Sequence, residues 1–64
     1  MAEWQQPIRP MDYKHVMEGG EWSLWRPVIF IRPTEYGWEI MGPNGCVWGD
    51  RSAMLRMTLV TNEG

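Results

Sequence analysis

Few residues in this chain are able to do chemistry. Cys46 is its one cysteine and His15 its one histidine. Covalent catalysis needs a nucleophile, a base and a group that orients the base. Cys46 stands between Gly45 and Val47 at the start of a predicted strand, where a thiol serves as a small buried hydrophobe. His15 stands beside Lys14 on the predicted solvent side of a short helix, the ordinary place for a surface imidazole. One cysteine forms no intramolecular disulfide, and one cysteine with one histidine falls short of most metal-ligand sets. Neither metal nor cofactor is expected. The candidate carboxylate pairs are Glu35 with Glu39 and Glu18 with Glu21, and acids spread through turns in this way are solvated surface rather than an acid-base pair. The run Gly42, Pro43, Asn44, Gly45 makes a turn rather than a phosphate cradle, because Pro43 has no amide hydrogen to offer. These residues point away from an enzyme.

What remains is aromatic and cationic. Five tryptophans, Trp4, Trp22, Trp25, Trp38 and Trp48, occur in 64 residues, which is enough for one domain with a thin core. Each can bury about 150–250 Å². A core of this size cannot hide all five, so at least one or two are expected to be partly exposed. Arg26 and Arg32 stand six apart, and Arg51 and Arg56 lie near the last apolar run. Tryptophan, tyrosine and arginine are the residues that dominate protein-binding hot spots. Five contact residues follow for a protein partner: Trp22, Trp25, Arg26, Tyr36 and Trp48. The same residues could stack and pair with a nucleic acid. The formal net charge of −2 counts against that alternative, because phosphate contacts need cations.

These side chains must be carried by short elements. Residues 1–10 contain Pro7 and Pro10 and read as an extended arm. Residues 11–60 form the single domain, and residues 61–64 a frayed tail. Over residues 11–18, Asp12 is a possible N-cap and Gly19 a possible left-handed C-terminal stop. Tyr13, Val16 and Met17 fall three and four apart, the spacing of one helical face. A two-turn helix is predicted there. A strand is predicted over about 22–26, kinked at Pro27 and continuing to Ile31, with Val28, Ile29, Phe30 and Ile31 as its strongest β signal. Residues 36–41 alternate, with Trp38 and Ile40 on one face and Glu39 and Met41 on the other. The turn at 42–45 leads to a return strand over 46–48. Residues 54–60 alternate again, placing Leu55, Met57 and Leu59 together. A short helical turn over 51–55, capped by Asp50, is the competing reading. The predicted core is Trp38 with Ile40, Val28, Phe30, Leu55 and Leu59.

The fold class expected is therefore α+β and β-rich. One short N-terminal helix accompanies a twisted antiparallel sheet of about four strands, shaped as an SH3-like half-open barrel or a meander. Exposed edge strands in such a sheet invite pairing with a second copy, so a homodimeric structural subunit is a further alternative.

Gly37, Trp38 and Glu39, followed by Pro43, Asn44, Gly45 and then Trp48, resemble the first hairpin of a WW domain. That family's third-strand aromatics and closing proline are missing, so none of its binding residues is carried over. As a compact tryptophan-rich chain, the sequence also resembles the short accessory reading frames of phages and other mobile elements. That resemblance implies a protein that acts by attaching to a host or viral protein. The N-terminal residues carry neither a basic region nor an apolar stretch, so no signal peptide is expected. No apolar run reaches the roughly 18–20 residues that span a bilayer, and no membrane association is expected. With the unpaired Cys46 this suggests a reducing cytoplasm, that of the host if the chain is phage-encoded. The expected function is a non-enzymatic interaction module, an inhibitor or adaptor, that occludes or bridges a protein partner.

Overall fold

The computed structural model describes residues 3–59. Six strands follow in order: β1 (Met11–His15), β2 (Arg26–Pro27), β3 (Phe30–Thr34), β4 (Gly37–Met41), β5 (Val47–Gly49) and β6 (Ala53–Met57). They form two three-stranded antiparallel sheets, ordered β2-β1-β6 and β3-β4-β5, and no barrel closes. Among the described residues there is no helix, and hence none long and apolar enough to cross a membrane. The predicted frayed tail at 61–64 lies outside the described residues.

The helix predicted over 11–18 is instead β1, the central strand of its sheet. The same segment also carries a period-two pattern through a different set of residues. Met11, Tyr13 and His15 alternate with Asp12 and Lys14. A two-turn helix has a costly nucleus and little length over which to recover it. As a strand, the segment pairs residue for residue with β6 from Met11↔Met57 to His15↔Ala53, and with β2 at Asp12↔Pro27 and Tyr13↔Arg26. Gly19 and Gly20 do adopt positive φ, but as the tip of a hairpin. Val16 bridges Trp22 across that hairpin, and the Ser23 amide donates to the His15 carbonyl at 2.8 Å.

The two sheets share one bent segment. Pro27 belongs to the first sheet and Phe30 to the second. Between them the Val28 amide donates to Met11 O at 2.9 Å, and the Ile29 amide to Met41 O at the same distance. The chain thus crosses from sheet to sheet at a single peptide, just after the proline that cannot continue a ladder. This bend displaces the side-chain alternation by one residue. Val28 is buried, and Ile31 rather than Phe30 joins the core beyond it. Phe30 is half-buried and pairs with Met41. From the arm, Gln5 exchanges two backbone hydrogen bonds with Ile31, 2.9 and 2.7 Å long.

The core is thin, as the chain length requires. Tyr13 (3% exposed), Val28 and Ile40 (0%) form its centre, with Met11, Ile31, Trp38, Trp48 and Leu55 packed against it. Ile31, Ile40 and Trp48 lie abreast across β3, β4 and β5. Leu59, expected in this core, is 75% exposed. The β6 ladder ends at Met57: the Thr58 amide still donates to Pro10 O at 3.0 Å, in register, but Pro10 has no amide hydrogen to return the bond. Residues 50–52 make a turn rather than a helical start, and β6 begins at Ala53. Tyr13 reaches across to the second sheet and lies directly against Gly42, filling the space a side chain there would occupy.

Candidate protein-binding face

Alternation along β1 sends Tyr13 inward and therefore Asp12 and Lys14 outward. Their partners on β6 are Arg56 and Met54. The outer face of the β2-β1-β6 sheet thus begins with two cations, a carboxylate and a methionine. The loop before β2 adds two indoles. The Lys14 Nζ lies 5.3 Å from the Trp22 ring centre and 5.0 Å from that of Trp25. The Arg56 guanidinium lies over the same Trp25 ring at 4.1 Å. Asp12 closes the row, accepting from Arg56 Nε at 3.4 Å and from Thr58 Oγ1 at 3.0 Å. Trp22, Lys14, Trp25, Arg56 and Asp12 are therefore one continuous aromatic and ionic strip.

Each cation-π contact at such an exposed site is worth about 0.5–1 kcal/mol, and a half-exposed ion pair about as little. Together they fix the orientation of the indoles without burying them. Trp22 stays 45% exposed and Trp25 half-buried, and Met54 on the same face is exposed. The loop that carries the indoles is itself anchored. His15 N donates to Ser23 Oγ at 3.0 Å, Met17 N to Glu21 O at 2.6 Å, and Gly20 N to Met17 O at 2.9 Å.

The five contact residues expected from sequence do not converge. Trp22 and Trp25 meet around Lys14. Arg26 is exposed but pairs with Tyr13, which puts it on the other side of the sheet from Lys14. Tyr36 is at the β3–β4 turn and is 82% exposed. Trp48 is half-buried against the core, its indole stacked on the His15 ring with centroids 4.0 Å apart and planes 4° from parallel. Lys14 and Asp12 were missed, and Arg56 was named among the basic residues but not among the five contacts. The signal that could have found them was the polar half of the Asp12, Tyr13, Lys14, His15 alternation, which a helical reading disperses.

The reactive side chains are also placed differently from expectation. His15 is not on a solvent side: one ring face covers Trp48, and Nδ1 is 3.3 Å from Val16 O. Cys46 is exposed at the 42–46 turn rather than buried in a strand. No hydrogen bond joins the two among the described residues. Burial raises the Tyr13 hydroxyl pKa above its ordinary value of 10.0, and the Arg26 guanidinium offsets this only in part. Among the described residues no three His, Cys, Asp or Glu side chains gather to hold a metal ion. Glu39 is engaged by Arg32, whose Nε donates at 2.8 Å while Nη2 lies 2.7 Å from the same oxygen. The other side of that guanidinium covers Trp4 at 4.5 Å.

No family model matches the chain, and neither a curated protein nor a solved structure matches it.

Proposed function

We propose that this protein is a non-enzymatic interaction module that binds a protein partner through the outer face of the β2-β1-β6 sheet. The observation that carries this is the pair Trp22 and Trp25, held half-open on either side of Lys14 with Arg56 beyond. Oriented indoles with arginine offer large contact area at small entropic loss on binding, which is the composition of hot spots. The module acts by occlusion or bridging, as an inhibitor or adaptor of the kind carried by phages and mobile elements, in the cytoplasm. Its strand order, with β6 beside β1 and one bent segment passing between two sheets, favours an SH3-like arrangement left open.

The test is affinity capture of the full chain from its source cells, read by mass spectrometry, with a Trp22→Ala/Trp25→Ala variant alongside. A protein retained by the wild type and lost by the variant, at comparable melting temperature, supports the reading. Identical captured sets from both refute it.

One observation favours a second reading, a nucleic-acid accessory role. Lys14 and Arg56 interleave with two indoles, the pattern of a stacking platform for single strands. It requires binding to oligonucleotides that weakens steeply as salt rises. A flat anisotropy trace at low salt removes it. The homodimeric alternative draws on β6, which has one strand neighbour and carries exposed Met54 and Met57. A monomeric mass at every concentration removes that one.

A further inference from the structure

A second surface lies apart from the Trp22–Arg56 strip, where the β3–β4 turn approaches the turn between β5 and β6. An open groove of about 720 Å³ runs there, lined among others by Glu35, Tyr36, Trp38, Asp50 and Arg51. That volume is within the usual range for ligand-binding clefts, roughly 300–1,000 Å³. Two features give it a chemical preference.

The first is aromatic. Thr34 pairs with Gly37, so Glu35 and Tyr36 make a two-residue turn, and the Tyr36 amide donates to Thr34 Oγ1 at 3.2 Å. Tyr36 is held at the backbone while its ring stands in solvent with no part in the core. Trp38, packed on the core, contributes a half-buried surface to the same groove. The faces of such rings attract cations.

The second is anionic and built in. The Asp50 amide donates to Trp38 O at 3.2 Å. Its carboxylate rests where a Cβ at Gly37 would stand, with Cγ 2.7 Å from that position. Gly37 has φ +151°, so both its conformation and its missing side chain seat that carboxylate in the groove. Among the described residues neither Glu35 nor Asp50 takes part in an ion pair, whereas Glu39 is satisfied by Arg32. Among the described residues lining the groove, Glu35 and Asp50 are thus the unpaired carboxylates, and Arg51 is the one cationic residue.

We propose that this groove receives a basic side chain, lysine or arginine, from a polypeptide partner. The ammonium or guanidinium lies over Tyr36 and Trp38 and pairs with Asp50 and Glu35, and its aliphatic stem covers the indole. Charge complementarity selects this occupant: an acidic side chain meets unpaired carboxylates, and an apolar one leaves them beside a dry surface. This site goes beyond the indole strip, shares none of the strip's residues and stands or falls independently of it.

The test is a nitrogen-15 chemical-shift titration of the full chain with the capped peptide Ac-Gly-Gly-Lys-Gly-Gly-NH2 and with its norleucine counterpart, which keeps the stem and drops the charge. The expected result is saturable shifts at Gly37, the Trp38 indole N–H, Gly49 and Asp50 with the lysine peptide, and none with norleucine. Asp50→Asn and Tyr36→Ala should each weaken binding at least about fivefold, the effect of losing one charge-assisted or cation-π contact. Raising the salt to 0.5 M should weaken it further. Equal shifts with norleucine, shifts confined to other surfaces, or an Asp50→Asn variant that keeps its native spectrum and binds like wild type would each overturn the proposal.

Discussion

At Gly42 the second sheet lies directly against Tyr13 of the first, and replacing it with alanine tests how they pack. Gly42 is buried just after β4, and its amide donates to Cys46 O at 2.9 Å. A Cβ there would overlap Tyr13 Oη outright and come within 2.8 Å of Cζ and 3.0 Å of Cε1. Ordinary carbon contacts are about 3.5–4.0 Å, so the ring must retreat by roughly 1 Å. Tyr13 is almost wholly buried and belongs to β1, which pairs on both sides. It has little freedom to swing, and the strain passes to the sheet interface. Overpacking of this kind costs about 1–3 kcal/mol. For a domain of this size each kcal/mol lowers Tm by roughly 4–8 °C, so Gly42→Ala should melt about 5–20 °C below wild type. Urea unfolding followed by tryptophan fluorescence gives the free energy directly. The mechanism is isolated by Tyr13→Phe, which removes the worst overlap while leaving the ring. In that background Gly42→Ala should cost about half as much. A full, unchanged penalty with phenylalanine would refute the steric account, as would a Gly42→Ala variant within about 0.5 kcal/mol of wild type.

Tyr13 also makes stability depend on alkaline pH. Because burial raises its pKa above 10.0, the unfolded chain loses this proton first, and stability falls as pH rises from about 10 through the folded value. Tyr13→Phe should flatten that part of the profile while other groups leave their own slopes, and equal slopes in urea titrations at pH 9–11 would count against it. Asp12→Ala strips acceptors from Arg56 and Thr58. Arg56 is partly exposed and its Nε is 3.4 Å away, so solvent screens that contact and the 3.0 Å bond from Thr58 dominates. A loss of about 1 kcal/mol is expected, smaller for Asp12→Asn, which keeps an acceptor for Thr58; two variants as stable as wild type would show that the row carries no stability.

The β4–β5 hairpin was legible because its alternation is local. Trp38 and Ile40 share the inner face as expected, and Glu39 faces the other way to meet Arg32. Pro43 and Asn44 turn the chain where proline geometry requires. The first strand was not legible. Tyr13, Val16 and Met17 fit a helix as well as Met11, Tyr13 and His15 fit a strand, and what decides is β6, forty residues away in sequence. Phe30 and Leu59 were misplaced for a related reason. Strict alternation was carried through a bend at Val28 and Ile29, and past the end of a ladder at Met57, points set by tertiary pairing. The candidate face was half-visible for the same cause. Its indoles could be named from composition, but the cations between them depend on the face of β1 that turns outward.

The five tryptophans bear on both proposals through what covers them. Trp4 lies under Arg32, Trp22 and Trp25 share Lys14, Trp25 also meets Arg56, and Trp48 meets His15. A core centred on Tyr13, Val28 and Ile40 cannot enclose so much aromatic surface, and long cationic stems cover it at little cost in volume. Such a cover is easily displaced. About half of an indole, on the order of 100 Å², is worth roughly 2–3 kcal/mol when a partner buries it, against about 0.5–1 kcal/mol for the cation contact given up. Moving Lys14 from Trp22 still leaves it against Trp25, so the strip can open on one side without losing its charge. Trp38 differs from Trp4, Trp22 and Trp25. Among the described residues no cation of the chain lies over its ring, and unpaired carboxylates stand beside it instead. A partner that supplies the cation there completes the arrangement which Trp4, Trp22 and Trp25 already have within the chain.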